Sequence, residues 1–253
     1  MHTSRRDEIL ELLRSHGSMS VKELSTLLYA SEPTIRRDLI ALQEEKLIRR
    51  IRGGAELATG TADTPVPWSM RIHGRDTQRI DRMLKQAASL VKDGNVIMLD
   101  SSSTVYRMIP LLKDKKDLIV LTNSLYAASL LAQMSIKTYI AGGMVKDPCG
   151  ASIGDEARRM LQRFHADIVF FSCAGLSENG KLTEYSVDED LVRLVMLEQA
   201  RRSVLLISDD RYNTCHMHTL CSIEEIDDIC TTAPLPAHLQ KLRADAGKRK
   251  EIL

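Results

Sequence analysis

The chain has 253 residues and a formal net charge of +1 at pH 7. That length predicts one small and one larger domain, and the near balance of charge excludes a polybasic surface over the whole protein, so any contact with nucleic acid has to be local. There is no run of about 18 apolar residues and no signal-peptide pattern, which predicts a cytoplasmic protein without a membrane partner. The five cysteines are scattered, as is typical of reduced thiols: Cys149, Cys173, Cys215, Cys221 and Cys230.

Two short helices are predicted at the N-terminus from their capping residues. Ser4 begins a first helix that carries an apolar face and ends at Gly17. Ser20 and Glu23 form a capping-box pair that begins a second helix. Tyr29-Ala30 is then the short turn into a third helix, which gives a helix-turn-helix arrangement.

The third helix is predicted from its period. Ile35, Leu39 and Leu42 recur at i, i+4 and i+7 and form one apolar face. Ser31 is the expected N-cap, and Pro33 is tolerated in the first turn, where amide donors have no intrahelical partner. The polar positions near its N-terminus can reach base edges and phosphates in a major groove, and they are Thr34, Arg36 and Arg37.

A basic β-hairpin is predicted directly after this helix. Ile48 and Ile51 stand among arginines, and Gly53-Gly54 is expected to supply the positive-φ residues of a tight turn. Three helices and a hairpin predict a winged helix-turn-helix domain over residues 1–56. Its predicted DNA-contacting residues are Ser31, Thr34, Arg36, Arg37, Arg50 and Arg52. The alternative is a solvated basic face on an ordinary helix, since residues 1–56 carry ten Lys or Arg against nine Asp or Glu.

A linker and a larger α/β domain are predicted after the hairpin. Residues 57–75 contain two prolines and no periodic apolar face, which predicts a linker. Over residues 76–253, helical stretches alternate with strands that are apolar along their length, as in a mostly parallel sheet covered on both faces. The predicted strands are 96–99, 118–121, 138–141, 168–171, 204–207 and 226–230, and the predicted helices are 76–91, 104–112, 125–134, 154–164 and 187–201.

Polar or small residues follow four of these strands in succession. Asp100 and four hydroxyl residues follow the first strand, Thr122 and Asn123 the second, Gly142-Gly143 the third, and residues 173–175 the fourth. Ligands bind beyond the carboxyl ends of the strands in such sheets, and the hydroxyl-rich loop opens a helix whose N-terminus can hold an anion. We therefore predict a polyol or phosphate pocket, the alternative being ordinary turn and helix-cap residues in each loop.

Motifs in both parts of the chain resemble those of one family. TIRRDL at 34–39 and RIRGGA at 50–55 closely resemble the N-terminal domain of the DeoR family of bacterial transcriptional repressors. The larger domain has strings similar to successive motifs of that family's C-terminal sensor domain. These strings are DSSST at 100–104, LTNS at 121–124, AGG at 141–143 and GLSENGKLT at 175–183. The resemblance covers nearly the entire chain.

The resemblance implies a fold, a function and a set of site residues. The family's sensor resembles ribose-phosphate isomerases and coenzyme A transferases in fold and generally binds phosphorylated sugars or related metabolites, which relieve repression. It implies a regulator that binds double-stranded operator DNA as a homo-oligomer, a dimer or tetramer, and releases it when a small phosphorylated metabolite binds, with no cofactor. The implied effector-binding residues are Asp100, Ser101, Ser102, Ser103, Thr104, Thr122, Asn123, Gly142, Gly143, Gly175 and Glu189.

Two single positions and one four-residue string depart from the family's pattern. Arg52 stands where the family usually has histidine, and Ser102 stands where it usually has glycine. The family's Asp-x-Ser-Lys string after the fifth predicted strand is replaced by Ser208-Asp209-Asp210-Arg211. We predict that Arg211 replaces the lysine as the cation facing the bound anion, because guanidinium grips phosphate or carboxylate with two parallel hydrogen bonds. The alternative is a surface pair between Arg211 and one of the two preceding aspartates.

Two other functions fit some of these residues. An enzyme of the isomerase or transferase type would use Asp100 or Glu189 as a general base, although nothing in the sequence places an acid opposite it. A metal-responsive regulator would use Cys215, His218 and Cys221, whose side chains suit zinc or a softer ion. The alternative for that stretch is core cysteines and exposed histidines. We predict a regulator that is not an enzyme and holds no metal.

Overall fold

The computed structural model describes residues 5–16, 18–45, 47–51, 53–57, 77–146 and 149–245. The chain divides into two compact units, Met1–Arg75 and Asp76–Leu253. Ser4, Gly17 and Arg52 lie outside the described residues, as does the predicted linker apart from Leu57, which ends a strand. Among the described helices, none is both long enough and apolar enough to cross a membrane.

Three helices and a three-stranded antiparallel sheet form the first unit. These are α1 (Arg5–His16), β1 (Ser18–Ser20), α2 (Val21–Leu27), α3 (Glu32–Glu44), β2 (Ile48–Ile51) and β3 (Gly54–Leu57), with sheet order β1-β3-β2. The predicted apolar face of α3, made of Ile35, Leu39 and Leu42, is buried against α1 and α2. The predicted winged helix-turn-helix is therefore confirmed.

Local polar contacts set the ends of these elements. The Glu23 amide donates to Ser20 Oγ (3.2 Å) and the Ser20 amide donates to Glu23 Oε2 (2.7 Å), so the predicted capping box is confirmed. Gly53 has the positive φ of 82° expected in the hairpin turn. The same expectation is wrong for Gly54, which begins β3. A Cβ there would lie 2.1 Å from the Met19 carbonyl oxygen, so glycine is needed for the close approach of β3 to β1.

An ion pair that the sequence did not predict joins the first and third helices. Asp38 belongs to the TIRRDL string, yet its side chain is only 9% exposed and lies 2.6 Å from Arg5 Nε and 3.7 Å from Arg6 Nε. Both arginines belong to α1, so the ion pairs hold α3 against α1. Asp38 is thus a structural residue within a motif whose neighbouring arginines are exposed.

The second unit contains a six-stranded sheet whose pairings are all parallel, as predicted. Its strands in chain order are β4 (Val96–Leu99), β5 (Ile119–Thr122), β6 (Lys137–Ile140), β9 (Ile168–Phe171), β12 (Ser203–Ile207) and β14 (Asp228–Thr231), and the spatial order is β14-β12-β9-β4-β5-β6. All six correspond to predicted strands, with ends shifted by no more than two residues.

Helices cover both faces of this sheet. They are α4 (Thr77–Ser89), α5 (Ser103–Met108), α6 (Leu125–Gln133), α7 (Asp155–Leu161), α8 (Val187–Gln199) and α9 (Ala237–Asp245). Ile97 and Leu99 pack with α4, α5 and α6 in one core cluster, whereas Met98 between them packs with α7 and α8 in another. Because both faces are buried, the strands are apolar throughout, which is the pattern from which they were predicted.

Several short elements were not predicted. A hairpin joins β7 (Met144–Lys146) to β8 (Ala151–Ile153), and a small antiparallel sheet consists of β10 (Gly175–Leu176), β11 (Lys181–Glu184) and β13 (His218–Ser222). These strands have two to five residues each and include polar residues, so they give no clear period. The predicted helix 104–112 ends early, because Pro110 lies in a separate 3-10 turn, Ile109–Leu112.

The strand order reverses between β4 and β9. From β4 the chain continues to β5 and β6 on one side, and β9, β12 and β14 lie on the other side. The register aligns Leu99 with Thr122 of β5 and with Phe170 of β9, so the residues after these strands share one edge of the sheet. The crevice at such a reversal is where doubly wound sheets bind ligands.

Candidate DNA-binding surface and effector site

The N-terminal turn of α3 presents polar side chains to solvent. Ser31 is the N-cap by position, but its hydroxyl forms no capping bond and instead pairs with Thr34 Oγ1 at 2.8 Å. Arg36 forms an i,i+4 ion pair with Glu32 at 3.2 Å. Arg37 is exposed and has no ion-pair partner among the described residues. Arg37 is therefore the guanidinium on this helix that can contact DNA without first losing an intramolecular partner.

The hairpin shows the same division between a paired and an unpaired arginine. Arg49 of β2 faces Glu56 of β3, and its Nε donates to Glu56 Oε1 at 2.6 Å. Arg50 is exposed, and no residue in the described part of the chain forms an ion pair with it. Arg52 was predicted to contact DNA and lies outside the described residues. The base-contact and phosphate-contact roles of these side chains stay predictions.

The loop after β4 holds a buried carboxylate and a group of hydroxyls. Asp100 Oδ1 accepts from the Ser102 amide (3.0 Å), and Ser102 Oγ accepts from the Val105 amide (3.2 Å) as the N-cap of α5. Ser101 and Ser103 are buried and Thr104 is half-buried. Their three hydroxyls have no hydrogen-bond partner within the described ranges. Ser102 is thus used for local structure, while its neighbours are available to a ligand.

The loop after β5 contains a buried acceptor that lacks a partner. Thr122 Oγ1 accepts from the Ser124 amide at 3.0 Å, which forms the turn into α6. Asn123 Nδ2 donates to the Ser152 carbonyl at 3.2 Å, but its Oδ1 is buried and has no hydrogen-bond partner in the described part of the chain. Buried polar atoms of this kind are rare, so Asn123 Oδ1 is a candidate acceptor for a ligand hydroxyl.

The two glycines after β6 lead into the β7–β8 hairpin. The Gly142 carbonyl accepts from Ser152 Oγ at 2.6 Å. Gly143 has a φ of 120°, and a Cβ there would lie 2.4 Å from the Ile153 carbonyl oxygen, so other residues do not fit. Ser152, which no sequence motif indicated, therefore joins two predicted site residues, Asn123 and Gly142, through its carbonyl and hydroxyl groups.

Glu189 and Gly175 have structural partners of their own. Glu189, in the first turn of α8, lies 3.5 Å from Lys146 Nζ of β7 and accepts from Cys149 Sγ at 3.7 Å. Gly175 begins β10 in the small sheet, where a Cβ would lie 2.5 Å from the Thr214 carbonyl oxygen. Close packing is a sufficient reason for glycine at this position, so no ligand is needed to explain it. The effector-binding roles assigned to both residues stay predictions.

Arg211 lies at the carboxyl end of β9 rather than in a surface pair. Its Nη1 donates to Ser172 Oγ (3.0 Å) and to the Cys173 carbonyl. The alternative pairing with its neighbouring aspartates is not formed, because Asp209 pairs with Arg79 at 2.9 Å and Asp210 accepts from the Ser208 hydroxyl. Arg211 thus places a guanidinium beside the strand reversal, and its role toward an anion stays a prediction.

Arg193 of α8 is the centre of a buried charge cluster that the sequence did not reveal. Its Nε lies 3.0 Å from Asp100 Oδ2, and its Nη1 lies 2.5 Å from Asp190 Oδ1 and 3.2 Å from Glu184 Oε1. The Ser172 amide also donates to Asp100 Oδ2, at 3.3 Å. The Asp190–Arg193 spacing of i,i+3 on α8 is the one signal that pointed to it. Without Arg193, Asp100 would be a buried carboxylate with no cation.

Burial determines which of these groups carry charge. Burial raises the pKa of Glu184 to about 7, although Arg193 opposes this shift. Burial also raises the pKa of Asp190, against the lowering effects of Arg193 and His218. For Arg193, burial lowers the pKa, but Glu184, Asp100 and Asp190 outweigh burial and raise it above its ordinary value. The guanidinium is therefore always charged, and Glu184 changes charge near neutral pH.

The stretch considered for a metal does not bring its side chains together. Cys215 is exposed, the His216 ring stacks on Tyr185 with centroids 4.1 Å apart, and His218 Nδ1 lies 2.6 Å from Asp190 Oδ2. Burial raises the pKa of Cys221 to about 12. Among the described residues, no group of three or more His, Cys, Asp or Glu side chains could hold a metal ion. The metal-responsive alternative gains no support.

A helix with two exposed arginines and a basic hairpin on a winged scaffold, with a separate α/β unit, define a class: the protein is a DNA-binding transcriptional regulator. Residues 5–61 match the DeoR-like helix-turn-helix domain, and residues 77–233 match the DeoR C terminal sensor domain. The chain belongs to the DeoR family, which confirms the resemblance found in its motifs.

Its relatives align over nearly their whole length. The glycerol-3-phosphate regulon repressor of Escherichia coli (strain K12) is 28% identical over 251 residues, which cover 99% of this chain and 98% of the relative. The L-fucose operon activator of Haemophilus influenzae is 32% identical over 238 residues, 93% and 94% of the two chains. Ribose 5-phosphate isomerase A from Methanocaldococcus jannaschii matches 53% of each chain with 20% identity and a TM-score of 0.41.

Proposed function

We propose that this protein represses an operon for a sugar or related metabolite and leaves its operator when a small phosphorylated metabolite binds to the second unit. The observation that carries this proposal is the group of unpartnered polar atoms at two adjacent strand ends. Three hydroxyls, from Ser101, Ser103 and Thr104, follow β4, and Asn123 Oδ1 follows β5. Asn123 Oδ1 is a buried acceptor without a partner, which is costly, so a ligand hydroxyl that donates to it binds favourably.

The ligand chemistry follows from what these atoms offer. Hydroxyl donors suit the oxygens of a phosphate group, whereas an amide oxygen can only accept a hydrogen bond from a ligand hydroxyl. A molecule with both a phosphate and a hydroxyl satisfies both sets, and phosphorylated sugars and polyols have both. The names of relatives support this class of operon, since they refer to a glycerol-3-phosphate regulon, an aga operon and an L-fucose operon. The last of these relatives is named as an activator.

We propose that DNA is bound by a homo-oligomer, a dimer or tetramer. A single winged domain covers a small footprint of roughly 600–1,000 Å², so operator affinity is expected to need two or more half-sites. Light scattering of the full-length protein measures its mass in solution. A strict monomer that still binds a single half-site tightly would contradict this part of the proposal.

The central experiment measures operator release by fluorescence anisotropy. Full-length protein is bound to a DNA fragment selected from random sequence, and a panel of phosphorylated compounds is added: inorganic phosphate, glycerol 3-phosphate, fructose 6-phosphate and glucose 6-phosphate. Each organic phosphate is matched with its unphosphorylated parent. We expect at least one phosphorylated compound to release the DNA and its parent not to do so. Release by a parent compound alone would contradict a phosphorylated effector.

Substitutions test whether the effector binds at the proposed site. Ser101→Ala and Arg211→Ala should weaken release while leaving operator affinity intact, and Arg211→Lys should restore release only in part, because ammonium makes a single point contact. Ser129→Ala and Arg163→Ala change exposed residues of the same types and serve as controls. If Arg211→Ala binds the effector as tightly as wild type, Arg211 does not face the anion.

A further inference from the structure

The cluster around Arg193 carries more negative than positive charge. Asp100, Glu184 and Asp190 contact one guanidinium, and the side chains of Arg193, Asp100 and Asp190 are 5%, 2% and 0% exposed. With every carboxyl ionised, three negative charges face one positive charge. Removing unbalanced charge from water is unfavourable, so such a cluster is stabilised by binding a proton.

His218 connects this cluster to solvent. Its Nδ1 lies 2.6 Å from Asp190 Oδ2, the carboxylate oxygen that does not contact Arg193, and its side chain is 33% exposed. Histidine is the side-chain type that ordinarily gains or loses charge near neutral pH. The cluster therefore has a histidine on its outer side, at His218, and a carboxyl inside it, at Glu184, whose pKa burial raises to about 7.

Other charged and titratable groups also lie around the cluster. On the neighbouring hairpin, Lys146 is paired with Glu189 of α8. Arg211 donates to neutral oxygens at the end of β9. Burial raises the pKa of the Cys173 and Cys221 thiols to about 12, so both stay neutral near pH 7. Burial also raises the pKa of the Tyr185 phenol.

The cluster touches the proposed effector site directly. Asp100 begins the loop that holds the unpartnered hydroxyls of Ser101, Ser103 and Thr104, and the same carboxylate contacts Arg193. A phosphate at those hydroxyls would meet the negative potential of the cluster in a partly desolvated site, where coulombic repulsion is weakly screened. Protonating Glu184 or His218 reduces that repulsion. Anion binding and proton binding at the cluster therefore favour each other.

We propose that this cluster takes up a proton when an anionic effector binds to the loop of residues 100–104, so that the effector binds more tightly as the pH falls. The proposal rests on the proposed function, because it needs a negatively charged effector. By linkage, each proton taken up changes the affinity by about tenfold per pH unit. Operator release would then depend on the pH of the cell as well as on the metabolite.

The test uses full-length protein and the panel compound that binds most tightly, whose affinity is measured by calorimetry at about pH 6, 7 and 8. A phosphate monoester has its own second pKa near 6, and this contribution is common to all variants. Between about pH 6 and about pH 8, the effector affinity of wild type should fall by up to about tenfold more than that of Glu184→Gln. His218→Gln should also show a flatter profile. His238→Gln changes an exposed histidine of α9 and should follow wild type.

Calorimetry at about pH 7 in buffers of different ionisation enthalpy counts the protons directly. Wild type should take up more protons on binding than Glu184→Gln. The inference is overturned if wild type, Glu184→Gln and His218→Gln have the same pH profile and the same proton uptake. If no phosphorylated compound of the panel binds at any of these pH values, the proposed function fails, and this outcome is distinct from binding that is insensitive to pH.

Discussion

The two functional regions of this protein are built in opposite ways. The proposed DNA contacts lie on one helical turn and one hairpin, within about twenty residues of each other in sequence, and Arg36, Arg37 and Arg50 are exposed. The cluster beside the proposed effector site joins residues from Asp100 to His218, and its central groups are buried. Replacing an exposed side chain should change the stability of the fold very little. In the buried cluster each charged side chain depends on the others for a partner, so a substitution there should destabilise the fold.

The largest effect is expected from Arg193→Ala. Three carboxylates would lose their shared cation, and breaking a buried ion pair in this way costs about 3–5 kcal/mol. Chemical denaturation followed by circular dichroism should show the loss in the free energy of unfolding, with Arg193→Lys less affected. Arg201→Ala removes an exposed arginine just after α8 and should change stability by less than about 0.5 kcal/mol. Equal stability of the two alanine variants would refute the cluster's structural role.

A second prediction concerns the pH dependence of stability. The pKa of Glu184 is raised by burial from 4.5 to about 7, so the folded state binds this proton more tightly than the unfolded state does. Its contribution is fully present below about pH 4.5 and is lost as the pH rises toward about 7, which amounts to about 3 kcal/mol. Glu184→Gln should flatten this part of the stability profile. If the mutant and wild-type profiles are parallel, Glu184 is already ionised in the folded protein.

Substitutions in the recognition helix, α3, should have a smaller effect, and this effect should be confined to DNA binding. If Arg37 reads a base with two hydrogen bonds, Arg37→Ala should cost about 1–3 kcal/mol of operator affinity and relax specificity at one position. Arg36→Ala is expected to cost less, because Arg36 first has to leave Glu32. Anisotropy titrations on a selected operator and its single-base variants give both quantities, and unfolding should be unchanged. Wild-type affinity and specificity in both variants would exclude the recognition-helix assignment.

The smallest effect is expected in the hairpin, where a matched pair of arginines is available. Arg50→Ala should weaken binding to all sequences alike and reduce the salt dependence by about one unit of slope, as expected for a phosphate contact. Arg49→Ala should have less effect, because Arg49 is held by Glu56. Titrations at several salt concentrations distinguish these results. Equal slopes for wild type and Arg50→Ala would show that Arg50 does not contact the DNA backbone.

Much of the fold could be predicted because its signals are local. The capping box at Ser20 and Glu23 and the period of Ile35, Leu39 and Leu42 each involve residues close in sequence, and the structure contains both. The six parallel strands were recognised because burial on both faces requires apolar residues throughout. The short strands of the small sheet gave no such signal, because two to five residues of mixed polarity do not establish a period.

Amino-acid sequence by itself determined the fold class, the family and the positions at strand ends where a ligand was to be expected. Tertiary structure alone decided which side chains meet there. Arg193 reaches Asp100 from 93 positions away because the strand order brings α8 beside β4. Ser152 links Asn123 to Gly142 through a hairpin that sequence did not reveal. The reason is physical. Periodicity and capping residues indicate which face of a helix or strand is buried. The partner of a buried charge depends instead on which elements lie side by side, and the order of the strands decides that.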